Sequence, residues 1–198
     1  MTTYRAGHVR HRHDQYFTPP DAVRPVLDDL AEWLDRRELL IVEPSVGRGD
    51  ILRTVLARTG TARAIGIDID RALLAQTAAT VPRMTAVLGD YLALDLRGAG
   101  LRPDLVIGNP PYGDHVLPFV EKALREVADD GAVSMLLRLS WLETPGRASL
   151  HARRPARLTV LSCRPSFTNN GRTDGQAYAW FTWLPEGHPL AGTWRVAR

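Results

Sequence analysis

Along most of this chain short apolar runs alternate with segments of helical periodicity, and that alternation constrains the fold more than any other feature. Leu39 to Glu43 (LLIVE) is too short for a helix. It follows Val23, Val26, Leu27, Leu30 and Leu34, which recur at helical spacing. Thr18 before Pro19, with Asp21 three residues on, forms a capping-box pattern that starts this helix. After a glycine-containing turn, Ile51, Leu52, Val55 and Leu56 share one helical face. A second unit pairs Arg63 to Asp68 as strand with Arg71 to Thr80 as helix. Further strands are expected at Met84 to Leu88 and Leu105 to Ile107, then at Ala132 to Arg138 after a helix from Leu117 to Ala128. Strands alternating with helices predict an α/β fold with a mostly parallel, doubly wound sheet. Leu158 to Leu161 and Tyr178 to Leu184 are strand-like but joined by a polar, turn-rich segment, which predicts an antiparallel C-terminal edge carrying a functional loop.

Composition narrows the class. With 198 residues the chain fits one domain, and it is long enough to bury a core without disulfide or metal staples. Residues 1–14 read as a basic N-terminal arm and 15–198 as a single catalytic domain. No apolar stretch approaches a membrane span, and the arm is not followed by the apolar segment of a secretory signal. A cytoplasmic protein without a membrane partner is expected. Cys163 is the only cysteine, so no internal disulfide can form. His8, His11 and His13 alternate in the arm without matching ligands, so no metal is expected. Arginine supplies nearly all the positive charge, in clusters at Arg5 to His13 and His151 to Arg157, with Arg164 and Arg172 nearby. These clusters suit either a nucleic-acid footprint or an ordinary solvated face.

The chemistry-bearing residues fall where strands end, which is where a doubly wound sheet binds ligands. Glu43-Pro44-Ser45-Val46-Gly47-Arg48-Gly49-Asp50 occupies the first strand-to-helix turn, whose glycines permit close backbone approach. Asp68 closes the second strand as an acceptor for two ribose hydroxyls, while Asp70 caps the next helix. Asp90 and Tyr91 close the third as a carboxylate and an aromatic suited to adenine. Asn109-Pro110-Pro111-Tyr112 follows the fourth strand directly. The prolines lack an N–H, so the carbonyls of Asn109 and Pro110 are expected to face a ligand. An aromatic amine has its lone pair delocalised into the ring. Acceptance of its hydrogens by the Asn109 side chain and the Pro110 carbonyl would localise that pair, with Tyr112 stacked on the ring.

These motifs resemble the amino-methyltransferases of DNA, specifically the adenine N6 subgroup whose cofactor motifs precede the catalytic NPPY. The resemblance covers nearly the whole chain. It implies a Rossmann-like class I methyltransferase fold and S-adenosylmethionine as cofactor. It also implies contacts from Tyr16 and Thr18 to the methionine part, a methionine-binding turn at Glu43, Pro44 and Gly47, ribose binding by Asp68, and adenine contacts from Ile69, Asp90 and Tyr91. Asn109, Pro110, Pro111 and Tyr112 are the implied catalytic residues, with Asn109 also beside the cofactor. Phe167 in Arg164-Pro165-Ser166-Phe167 resembles the aromatic that packs on a flipped base, and Arg172 lies in a loop able to reach a phosphate. The implied activity is methyl transfer to adenine N6, with DNA the leading nucleic-acid partner.

One departure matters: members that read a sequence carry a recognition domain after the last strand, where Pro185 to Arg198 are too few to form one. Recognition is then expected from loops, the arm, a separate specificity subunit or a homodimer. Adenine in RNA, a protein glutamine amide, or a non-catalytic cofactor-binding subunit are the alternatives.

Overall fold

The computed structural model describes residues 17–36, 38–167 and 175–197. Its helices are α1 (Pro20–Leu27), α2 (Ala31–Leu34), α3 (Asp50–Arg58), α4 (Arg71–Thr80), α5 (Val116–Glu126) and α6 (Pro145–Arg153). Its strands are β1 (Leu40–Glu43), β2 (Arg63–Asp68), β3 (Met84–Leu88), β4 (Leu105–Gly108), β5 (Ala132–Arg138), β6 (Arg157–Val160), β7 (Tyr178–Trp183) and β8 (Trp194–Val196). They form one sheet in the order β3-β2-β1-β4-β5-β7-β6-β8. Pairing is parallel from β3 through to β5, and β7 runs antiparallel to both its neighbours, β5 and β6. The expected α/β architecture with an antiparallel C-terminal side is therefore present, the reversal being confined to β7. The strand β8, parallel to β6, forms the outer edge.

Period-2 alternation sends side chains to two cores. Leu105 and Ile107 of β4, with Tyr178 and Trp180 of β7, pack with Val23, Val26 and Trp33 beneath α1 to α3. Val106, Ala179, Phe181 and Trp183 pack on the opposite face against Phe119 and Val120 of α5. Burial on both faces explains why β4 and β7 read as continuous apolar runs.

The first helix differs from its sequence pattern. It breaks over 28–30, and Thr18 does not cap it: Pro19 holds the cap position in extended conformation, with no side-chain cap. Pro25 inside α1 removes one backbone donor. Asp29 at the break is buried against the C-terminal strands, where it accepts from Arg195 Nε at 3.1 Å, from Arg157 at 3.4 Å and from the Thr159 hydroxyl. The helix gives up continuity where a carboxylate finds these partners. Helix α6 and strand β8 have no clear sequence signature: α6 is an apolar-poor segment that buries only Leu150, with Arg147 and His151 half-buried.

Candidate active site

The parallel strands bring Glu43, Asp68, Asn109 and Arg138 to one edge of the sheet. Between β1 and α3 the chain turns through Gly47 (φ 51°) and Gly49 (φ 73°), both left-handed. This turn is held from below. Asp68 accepts from Gly47 N–H and Asp70 N–H, each at 2.9 Å, and the Thr77 hydroxyl donates to the Gly47 carbonyl at 2.6 Å. Each Asp68 oxygen has a second lone pair left for a ligand. Asp70 caps α4 by accepting from Ala72 and Leu73, as its position predicted.

An open cleft of about 250 Å³ lies over the turn, lined among others by Phe17, Thr18, Glu43, Ser45, Arg48 and Asn109. Glu43 is buried at its floor and accepts from Leu52 N–H at 3.2 Å. Burial raises its carboxyl well above the usual range; the Leu52 N–H opposes this, Asp50 and Asp68 add to it, and Arg53 offsets a part. Two acidic side chains, Glu43 and Asp50, thus line the cleft, with Asp68 beneath the turn. Arg48 lies over the Phe17 ring at 3.8 Å and pairs with Asp50 at 3.6 Å.

Asn109 is fixed on two sides. Its Nδ2 donates to Thr18 Oγ1 at 3.1 Å, and its Oδ1 accepts from the Tyr112 hydroxyl at 2.8 Å. Thr18 therefore meets the Asn109-Pro110-Pro111-Tyr112 segment directly, which is why it is lost as a helix cap. The Asn109 carbonyl, expected to face a ligand, accepts from Ser45 Oγ at 3.0 Å and keeps a second lone pair. Among the described residues no hydrogen bond falls on the Pro110 carbonyl. The Tyr112 ring is flanked by the Arg138 guanidinium at 4.9 Å and meets Tyr178 edge-on at 6.2 Å. Burial raises the Tyr112 hydroxyl well above its ordinary range, followed by its contact with Tyr178, so it stays protonated.

Other expected site residues do not line this cleft. Phe167 is 3% exposed and packs edge-on to Tyr178 at 5.0 Å, one ring behind Tyr112, so it is a core residue and not a cleft wall. Tyr91 turns away from Asp90 into the core, 5.3 Å from Phe119 with Lys122 over its ring. Asp90 accepts from Leu92 N–H at the surface, and Ile69 is 58% exposed where β2 ends. Pro44 sits against Gly108, joining the first turn to the fourth strand. Most of the 151–157 cluster is tied into the fold: Arg157 is buried on Asp29, Arg154 donates to Leu124, and His151 packs against Trp141 and Phe181, while Arg153 stays exposed. Tyr16, Arg172 and the basic arm lie outside the described residues. Among the described residues no group of metal-ligating side chains occurs, and no helix is long and apolar enough to cross a membrane.

Sequence reasoning missed Ser45, Arg138 and Tyr178. Arg138 had a usable signal, since it ends a predicted parallel strand at the ligand-binding edge.

No family model matches the chain, and no curated protein sequence matches it. Solved structures are similar in fold. A candidate class I S-adenosylmethionine-dependent methyltransferase from Listeria monocytogenes has a TM-score of 0.71 at 18% identity, over 97% of this chain and 68% of the other. A candidate RNA methyltransferase from Pyrococcus horikoshii has a TM-score of 0.65 at 19% identity, over 87% of each chain. A dimethyladenosine transferase from Plasmodium falciparum has a TM-score of 0.59 at 14% identity, over 86% of this chain and 64% of the other. The chain has the Rossmann-like class I methyltransferase fold.

Proposed function

We propose that this chain is an S-adenosylmethionine-dependent methyltransferase acting on an exocyclic amino nitrogen, the N6 of adenine in DNA. The observation that carries the reading is the pinned amide of Asn109, which stands between Thr18 and Tyr112 at the mouth of a carboxylate-lined cleft.

The residues present fit the cofactor. Glu43, Asp50 and Asp68 favour a ligand with excess positive charge, and the burial that raises the Glu43 carboxyl marks a place where a nearby cation would be welcome. Gly47 allows close backbone approach, and Glu43, Thr18 and the 44–49 turn would hold the methionine part, with Asp68 on the ribose and Ile69 and Asp90 toward the adenine. When bound, S-adenosylmethionine would supply an electrophilic methyl group on a positively charged sulfur.

The chain's own residues prepare the acceptor. Asn109 Oδ1 has one lone pair engaged by Tyr112 and a second for one amine hydrogen, and the Pro110 carbonyl can take the other. Both acceptors are fixed in advance, so little reorganisation accompanies the reaction. Tyr112 supplies a ring face for stacking, with Arg138 on it as an electrostatic partner. A second reading, adenine in RNA, is favoured by the names of similar structures, among them an rRNA methylase from Streptococcus thermophilus (TM-score 0.57, 16% identity, 83% of this chain and 97% of the other). Labelled cofactor offered with DNA and RNA strands of one sequence separates the two: DNA is expected to take the label, and label on RNA alone gives the second reading.

Asp68→Ala should weaken cofactor binding by about tenfold to a hundredfold, because hydrogen bonds to a charged acceptor contribute about 1.5–3 kcal/mol. Calorimetric titration measures this, and an unchanged affinity would remove Asp68 from the cofactor site.

A further inference from the structure

The two edges of the sheet are built differently. Strand β8 closes one side with three residues, and its central Arg195 is tied inward to Asp29. Strand β3 closes the other side with five, Met84–Leu88, in unbroken register with β2. The Ala64 N–H donates to the Arg83 carbonyl and the Gly89 N–H to the Asp68 carbonyl, each at 3.0 Å. In a parallel ladder alternate residues bond to the neighbouring strand, so Thr85 and Val87 serve β2 while the N–H and C=O groups of Met84, Ala86 and Leu88 point outward. Among the described residues no strand pairs with that outer side.

Sheet edges are ordinarily blunted by a charge, a proline, a bulge or shortness. Strand β3 has none of the first three, and five residues is an ordinary strand length. In a chain whose residues are 24% charged, Arg83 is the only charged residue from Ala72 to Gly89, so the depletion belongs to this edge. The guanidinium of Arg83 is folded back onto the carbonyls of Leu56, Thr59 and Gly60. Thr85, Ala86 and Leu88 are exposed, and α4, packed over β3, exposes Ala72, Ala75 and Ala79. Exposure without charge is the composition of an interface core.

The ends of the strand point to the partner. Exposed Arg83 precedes it and exposed Asp90 closely follows it. A parallel copy of the strand would set like charges together, whereas an antiparallel copy brings the Asp90 end of each strand to the Arg83 end of the other. We propose that β3 is a self-association edge, which pairs antiparallel with β3 of a second copy about a twofold axis at Ala86. Ala86 then lies opposite Ala86 and Met84 opposite Leu88, each pair exchanging both of its backbone hydrogen bonds. Because the paired strands run oppositely, the two clefts open at opposite ends of one continuous sheet. Each copy keeps its own site, and the inference does not depend on the reaction proposed above.

Sedimentation equilibrium of the full chain should report a reversible dimer. Ala86 is exposed, so Ala86→Lys and Ala86→Glu can each be carried by a folded monomer, and each sets like charges opposite one another across the axis. Each should raise the dissociation constant at least about tenfold. An equal mixture of the two variants should restore the dimer, since opposite charges then meet. Residue-resolved hydrogen exchange on the native protein tests the same contact without a substitution. The amides of Met84, Ala86 and Leu88 should be protected where the dimer forms and lose that protection on dilution, while Thr85 and Val87, bonded to β2, stay protected. Should either variant fail to fold, this exchange pattern decides. A native protein that stays monomeric up to its solubility limit would overturn the proposal. So would a dimer in which those three amides exchange freely, or a mixture of folded variants no more associated than either variant alone.

Discussion

Replacing Asn109 with alanine is expected to reduce methyl transfer by about three orders of magnitude while cofactor binding persists, comparable to removing a preorganised polar group that acts mainly in the transition state. The amine would keep only the Pro110 carbonyl as an acceptor, and its lone pair would stay delocalised. Cofactor binding should survive because Glu43, Asp68 and the 44–49 turn sit on other strands. A modest loss of stability is also expected, about 1 kcal/mol, since Thr18 and Tyr112 both lose their partner. Single-turnover rates beside calorimetric titration separate the effects. A variant that binds poorly but reacts normally once saturated would assign Asn109 to binding alone.

The second large effect is on the fold. Gly49 holds φ at 73°, and a Cβ there would lie 2.5 Å from Val81 Cγ2 and 2.7 Å from Thr77 Cγ2. Both neighbours are short, branched and buried, so neither can swing away. Thr77 is further tied by its bond to the Gly47 carbonyl. Gly49→Ala combines a left-handed alanine with an overpacked contact and should cost about 2–4 kcal/mol. Gly60 has open space around it, so Gly60→Ala is the matching control and should cost little. Urea denaturation of the two variants checks the difference; equal stabilities would mean that the turn tolerates a shift away from α4.

Much of this architecture is legible from residue order because its signals are local. Short apolar runs such as 39–43 and 132–138 are buried on both faces, and the acids that end strands stand at one edge because parallel strands point the same way. What could not be read depends on partners distant in sequence. Thr18 followed by Pro19 carries a proper capping pattern, yet its hydroxyl is claimed by Asn109, 91 residues away. Asp29 breaks a periodic helix because Arg157, Thr159 and Arg195 are delivered to it by strands from the far end of the chain. Phe167 and Tyr91 look like ligand-facing aromatics beside polar residues. Both are drawn into the core, where a large ring gains more from burial than a loop position gains from exposure. Arg138 was read only as the end of a strand, and its place beside Tyr178 and over the Tyr112 ring needs the register of β5 against β7.

The central claim concerns which atom receives the methyl group. Nucleic acid incubated with the protein and isotopically labelled S-adenosylmethionine, then digested to nucleosides and resolved by mass spectrometry against standards, reports that atom directly. The acceptor geometry at Asn109 and Pro110 predicts label in N6-methyladenine nucleoside. Label on a ring nitrogen, a carbon or a ribose oxygen, in place of the exocyclic nitrogen, would contradict it.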